Sequence, residues 1–296
     1  MLLQSFDHRI FSTKYLKNTV IGMQVSEKTN VIKKLRDAGK SFGHKSCCYI
    51  FMNLAEDKDT GKNQIYIGQT RYIDSRLQSY VRIRDTYKNG YLFLLIKDDN
   101  ESGDNFDEAW IHHLEYLFID HFKNMCWGTS WLIENKQSGT PSVSCPSISK
   151  DVETAFDAFK KTLEKDFSIP LNKSTTKIPR RLKSFTAKHE GKSKRYEINV
   201  LFDEDSKLIK VEKGSIAVAS DRGSKYHHKV IHRKLESEGH FYPITTPKPP
   251  NYSLDKSWIA MNFAEVTGAM ANGPGPLKWY DDNQNLVTKA EMKSMR

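Results

Sequence analysis

The spacing of apolar and polar positions predicts a mixed set of strands and helices. Cys48-Tyr49-Ile50-Phe51-Met52 is an apolar run of strand length, suited to burial. The polar stretch Asp57 to Lys62, with Gly61 near its end, suits a hairpin connection, and Gln64-Ile65-Tyr66-Ile67-Gly68 reads as the returning strand. Asp74 to Ile83 has helical spacing at Leu77, Tyr80 and Val81, and Tyr91 to Ile96 predicts a third strand. Asp98 to Asp107 is acidic and loop-like. Ala109 to Phe122 is the strongest helix, with Leu114, Leu117, Phe118, Ile119 and Phe122 in one apolar stripe.

Outside this block the pattern is weaker. Residues 1–45 read as an N-terminal extension, with a short helix starting at Thr29 and running to Leu35. Ser138 to Ser149 is rich in Ser, Pro, Gly and Thr and reads as a linker, followed by a helix over Val152 to Phe167. Lys177 to Arg195 carries eight basic residues against one acid, Glu190, and reads as a flexible basic tether. Tyr196 to Phe202 and Leu208 to Glu212 alternate like strands. Val230 to Glu238 and Trp258 to Met270 read as helices, the latter stopped by Gly273-Pro274-Gly275-Pro276. The predicted fold class is α+β: a small, mainly antiparallel sheet flanked by helices, then a second small α+β domain. The expected division is an extension (1–45), a first domain (46–137), a linker with one helix and the tether (138–195), and an accessory domain (196–296).

Composition narrows the partners. The 296 residues are 38% hydrophobic and 28% charged, with a net charge of +10, so the chain is globular and attracts polyanions. Nucleic acid is the expected partner, because no segment approaches the roughly 18 consecutive apolar residues of a membrane span. Met1 to Arg9 shows no basic segment followed by an apolar run, so no secretory signal is expected. None of the four cysteines, Cys47, Cys48, Cys126 and Cys145, forms a C-x-x-C pair, which points to a reduced, cytoplasmic protein without a cysteine-zinc site.

Five chemically loaded elements occur in order: Tyr49, Tyr66-Ile67-Gly68-Gln69-Thr70, Arg76-Leu77 with Tyr80, the Glu115 helix, and Asn135. This order over about 47–136 resembles the GIY-YIG nuclease superfamily. Tyr66-Ile67-Gly68, the Thr two residues on and the Arg ten residues after the tyrosine match that family's pattern. His113-Leu114-Glu115-Tyr116-Leu117-Phe118-Ile119 looks like its Glu-bearing helix, and Asn135 stands where its late Asn is expected. The chain departs from the family at Cys47-Cys48-Tyr49, where Gly-Ile-Tyr is usual, and at Tyr80, where many members have His.

The resemblance implies a metal-dependent DNA endonuclease, of a restriction or phage-defence kind, that hydrolyses the phosphodiester bond by direct attack of water with inversion. Phosphodiester hydrolysis needs an activated water, a held phosphate and neutralisation of charge growing on oxygen. By resemblance, Tyr49 and Tyr66 orient or deprotonate the water. A phenol titrates near 10, so a base role needs a neighbouring cation, and Arg76 supplies one. Tyr80 follows on the same helical face. Glu115 is the implied ligand of one Mg2+ or Mn2+ ion, completed by water and substrate oxygens. Gly68 allows close backbone approach to a phosphate, and Thr70, Lys177, Arg180, Arg181 and Lys183 are expected to contact substrate. The plain alternatives are an ion pair of Arg76 with Asp74 or Asp85, a solvated Glu115 and a loop-capping Asn135.

The remaining features carry less. Adjacent His112 and His113 point to different helix faces and cannot easily serve one metal. His228 and His232 have i, i+4 spacing but no third ligand, so a surface helix is expected. Residues 196–289 resemble a small uncharacterised domain often appended to such nucleases, through Val211 to Ser215, Trp258 to Met270, Asn272-Gly273 and Lys278 to Asp282. That domain is expected to add DNA contacts, with core packing as the plain reading of Trp258 and Trp279. Two other classes stand beside the enzyme: a non-catalytic DNA-binding scaffold, and a subunit of a larger complex. Charge does not separate DNA from RNA, and double-strand cutting by a single site would favour a homodimer.

Overall fold

The computed structural model describes residues 8–13, 18–25, 46–53, 63–72, 76, 90–97, 108–129, 131–135, 138–139, 146–165, 181–190, 195–218, 226–244, 251–270 and 277–295. The expected helix at Thr29 to Leu35, the connection at 57–62, the loop at 98–107 and most of Asp74 to Ile83 lie outside these. The fold is α+β, with mostly antiparallel sheets and flanking helices. The chain divides into two compact units. One comprises Met1–Met125, Ser130–Asn135 and Ser144–Thr175; the other comprises Cys126–Thr129, Lys136–Val143 and Thr176–Arg296. Among the described residues no helix is long and apolar enough to cross a membrane.

The first unit is built on a six-stranded sheet. Its strands are β1 (His8–Thr13), β2 (Asn18–Val25), β3 (Cys47–Asn53), β4 (Asn63–Thr70), β5 (Gly90–Lys97) and β6 (Trp131–Ile133), in the order β1-β2-β5-β3-β4-β6. All pairs are antiparallel except β4 with β6. β3 lies between β4 and β5, and all seven of its residues are buried, which explains its near-continuous apolar run. Residues 1–45 are therefore not a mere extension. β2 pairs with β5 along eight residues, from Asn18↔Lys97 to Val25↔Gly90. No local signal announced this, because the pairing spans some seventy positions of chain.

Among the described residues two long helices belong to this unit. α1 (Glu108–Cys126) buries Leu114, Phe118, Ile119 and Phe122 of the expected stripe and Ile111 besides, whereas Leu117 is only partly buried. α2 (Pro146–Lys165) starts within the expected linker, with Pro146 at its first position, where a missing N–H costs nothing. α2 packs on α1 edge-to-face, Phe156 against Phe118, with ring centroids 4.9 Å apart.

The second unit has a nine-stranded sheet. Its main path, β11-β12-β10-β8-β7-β14-β15, comprises β11 (Phe241–Ile244), β12 (Asn251–Leu254), β10 (Ile216–Val218), β8 (Arg195–Asp203), β7 (Leu182–Glu190), β14 (Trp279–Asp281) and β15 (Leu286–Val287). β9 (Ile209–Val211) pairs with β8 and with β13 (Trp258–Ala260). Three helices complete it: α3 (Tyr226–Ser237), α4 (Phe263–Met270) and α5 (Lys289–Ser294).

Four expectations are corrected in this unit. The middle of the expected basic tether is a strand: β7 pairs with β8 over nine residues, and the buried Phe185 and Ala187 alternate with more exposed neighbours, while 177–180 and 191–194 lie outside the described residues. Its charges hid a period of two. Trp258–Ala260 is a strand rather than the start of a helix, because β9 offers it an edge, Trp258↔Val211 to Ala260↔Ile209. α4 begins only after Asn262, whose side chain accepts from the Glu265 N–H at 3.0 Å. His232 is buried rather than superficial. Its Nδ1 lies 2.8 Å from the Ala269 carbonyl and its ring stacks on Phe241. Trp258 and Trp279 are core residues, the latter edge-on to Phe263 at 5.0 Å.

Deleting residues 1–25 should leave the edge of β5 unpaired beside buried Leu92 to Ile96. The expected outcome is a lower thermal midpoint and self-association, read by circular dichroism melting and size-exclusion chromatography; an unaltered melt would refute an integral role for the hairpin.

Candidate active site

Register brings the first three residues together. Directly opposed residues of an antiparallel pair share a face. Tyr49 opposes Gly68, and Phe51 opposes Tyr66, so Tyr66 is the diagonal neighbour of Tyr49. The two phenol rings lie 6.2 Å apart at 38°. Gly68 makes this possible. A Cβ built there would lie 2.4 Å from both Cζ and Oη of Tyr49, so no side chain fits beneath the ring. The close approach that needs glycine at 68 is that of Tyr49; this replaces the expected phosphate approach as the reason for the residue.

Arg76, a helical residue exposed overall, donates from Nε to Tyr49 Oη at 3.0 Å. The bond to Tyr49 helps hold the guanidinium protonated, with a smaller contribution from Tyr66. Burial pushes the Tyr49 phenol well above its ordinary range, and the nearby Tyr66 adds to this, while Arg76 opposes it. Tyr49 therefore acts as a neutral phenol around pH 7, and its oxygen is engaged by Arg76. Tyr66 is half-buried. Arg76 thus ties its helical position to β3 through Tyr49.

Glu115 lies on α1 with a side chain 17% exposed. Its charge is felt by the buried Cys48 thiol, which is pushed upward first by burial and then by this carboxylate; Cys48 immediately precedes Tyr49. His112, one turn earlier, approaches Glu115 with Nδ1 3.9 Å from Oε2, and Glu108 with Nε2 3.6 Å from Oε1. Glu115 is the main cause that raises the His112 pKa, with Glu108 adding to it. Glu108 in turn forms an ion pair with Arg71, just beyond β4. A line of ionisable groups, Arg71–Glu108–His112–Glu115, therefore runs from the end of β4 along α1. His112 was not among the expected site residues, although its i, i+3 spacing from Glu115 was a readable signal. His113 is buried and stacks on Tyr116, so the two histidines do face differently.

Two expected residues have structural partners. The Asn135 amide spans the backbone of Ile67: its Nδ2 donates to Ile67 O at 2.7 Å, and its Oδ1 accepts from Ile67 N at 2.9 Å. It extends the β4–β6 pairing by one side chain and fixes the strand between Tyr66 and Gly68, which makes it a positioning residue. Thr70 closes a turn, its Oγ1 accepting from Tyr72 N at 3.1 Å and donating to Tyr72 O at 3.2 Å. Tyr80, Lys177 and Arg180 lie outside the described residues. Arg181 and Lys183 belong to the second unit, on or beside β7, and Lys183 pairs with Glu204.

For a metal, the donor set is spare. Among the described residues no group of three or more His, Cys, Asp or Glu side chains converges. Glu115 alone, or with His112 beside it, suits a hard divalent ion that keeps most of its ligands as water and substrate oxygens. The chain matches no family model, no curated protein and no solved structure.

Gly68→Ala should displace the Tyr49 ring and cost about 1–3 kcal/mol by overpacking. Asn135→Ala should cost about 1–3 kcal/mol by stranding the Ile67 amide and carbonyl. Urea unfolding of both variants checks this; an Asn135→Ala protein of unchanged stability would return that residue to a direct chemical role.

Proposed function

We propose that the first unit is a phosphodiester hydrolase acting on DNA, with Arg76 and the two phenols holding one phosphate and the water that attacks it. The observation that carries this reading is the Arg76–Tyr49 bond beside Tyr66, which joins one guanidinium and two phenols from separate elements. It is supported by the order of Tyr49, Tyr66-Ile67-Gly68, Arg76 and Glu115, which resembles the GIY-YIG nucleases, and by the net charge of +10.

In this reading Arg76 grips a non-bridging phosphate oxygen and neutralises the charge that grows there during attack. Tyr49 keeps that guanidinium in place. Because the Tyr49 oxygen is engaged by Arg76, orienting the attacking water falls to Tyr66, and the proton of that water passes to solvent. Glu115, supported by His112, would hold one Mg2+ or Mn2+ ion, whose chemistry is to polarise the phosphate and stabilise the departing 3′ oxygen. Asn135 keeps the Tyr66 strand in register.

Cleavage of plasmid and linear DNA by the full chain with Mg2+ or Mn2+ tests this. Arg76→Ala should lower kcat by about 100-fold or more, as expected for loss of a donor to developing charge. Glu115→Ala and Tyr66→Phe should be comparably impaired, and EDTA should abolish turnover. Wild-type turnover equal to that of Glu115→Ala would leave the non-catalytic scaffold as the standing reading. Linkage gives a second expectation. A tyrosine whose pKa is higher folded than unfolded contributes stability that is present below the unfolded value, near 10, and is lost as pH rises beyond it. Tyr49→Phe should therefore reduce the alkaline loss of stability above about pH 10, measured by urea unfolding across pH.

A further inference from the structure

The excess charge of the chain is unevenly placed. Residues 1–175 hold 24 Lys and Arg against 22 Asp and Glu, whereas 176–296 hold 22 against 14. In the second unit, several lysines are spent on single carboxylates: Lys188 on Glu197, Lys213 on Asp255 and Lys234 on Glu238. The turn from β8 to β9 is different. There Glu204 stands among three cations. Lys183 Nζ lies 2.5 Å from its Oε1, its N–H donates to the Arg181 carbonyl at 3.0 Å, and its carboxyl is held below the ordinary range first by Lys183 and then by Lys207 and Arg181. Lys183 opposes Phe202 in the β7–β8 register, and Lys207 Nζ sits 5.7 Å from the centre of that ring. Arg181 and Lys183 are exposed.

Lys207 occupies a costly position. Its φ is 59°, in the left-handed region that glycine and asparagine accept most readily. The surrounding turn enforces this. The Asp203 carboxylate accepts from Asp205 N at 2.9 Å, Ser206 N at 3.4 Å and Ser206 Oγ at 3.0 Å, while Lys207 N donates to Asp203 O at 2.9 Å. A lysine is the wrong residue for this backbone, so what it contributes is its cation.

We propose that Arg181, Lys183 and Lys207 form a binding surface for the nucleic-acid phosphate backbone, with Glu204 as an internal competitor that occupies the cations until a phosphate displaces it. The proposal rests on the nucleic-acid reading above and names a second, non-catalytic contact. The positive excess of 176–296 lies almost wholly in 177–195, eight basic residues against one acid, the segment that holds Arg181 and Lys183, and such a run of cations along the chain suits the regularly spaced phosphates of a nucleic acid better than an acidic protein segment.

The test is fluorescence anisotropy of the full chain with a short labelled DNA duplex in EDTA, over a range of salt. Glu204→Gln should tighten binding and steepen the slope of log K against log salt by about one. Lys207→Gly should weaken binding and make that slope shallower by about one, while its thermal midpoint holds or rises because glycine accepts the backbone angle. Binding unchanged in both variants overturns the proposal, as does polyglutamate displacing the duplex as well as unlabelled DNA does. The two readings fail separately: responsive binding without Mg2+-dependent cleavage rejects only the hydrolase, and cleavage with unresponsive binding rejects only this surface.

Discussion

The first unit depends on one steric fit, the Tyr49 ring lying over a residue with no side chain. Gly68 leaves no room for a Cβ beneath that ring. With the ring in place, its oxygen reaches Arg76 and its diagonal neighbour is Tyr66. Two strands and a helical residue are thereby tied at one point, where three polar side chains gather.

Around that point, other polar groups hold β4 rather than join it. Asn135 occupies both backbone groups of Ile67, and Thr70 closes the turn beyond the strand. Arg71 ties the same end of β4 to Glu108 on α1, and His112 connects Glu108 to Glu115. The strand is thus gripped along its length, which keeps Tyr66 in its place on the sheet. The half-buried carboxylate of Glu115 has the His112 imidazole beside it, one turn earlier on the same helix.

The second unit separates its apolar and charged residues by strand period. Phe185, Ala187, Ile198, Val200 and Phe202 turn into a core with Phe263, Trp279 and Val266. Between them on β7 stand Ser184, Thr186 and the exposed Lys188, which pairs with Glu197. Charge density by itself was misleading there, because a strand with one buried face needs only every second residue to be apolar.

What the chain alone determined was local: the buried run of β3, the returning β4, the stripe of α1, and the order of Tyr49, Tyr66, Gly68, Arg76 and Glu115. These are set by side-chain period and short spacings, which residues nearby in sequence impose on one another. Only the tertiary structure decided that residues 18–25 complete the first sheet, that Trp258–Ala260 is a strand, that Asn135 is a backbone clamp, and that His112 stands beside Glu115. Each of these except the last turns on a partner far along the chain. For His112 the partner was near, but only burial of the α1 stripe against the core fixes which way the rest of that helix faces. Gly68 shows the same division in one residue: the sequence marks a position without a side chain, and the fold supplies the ring that requires it.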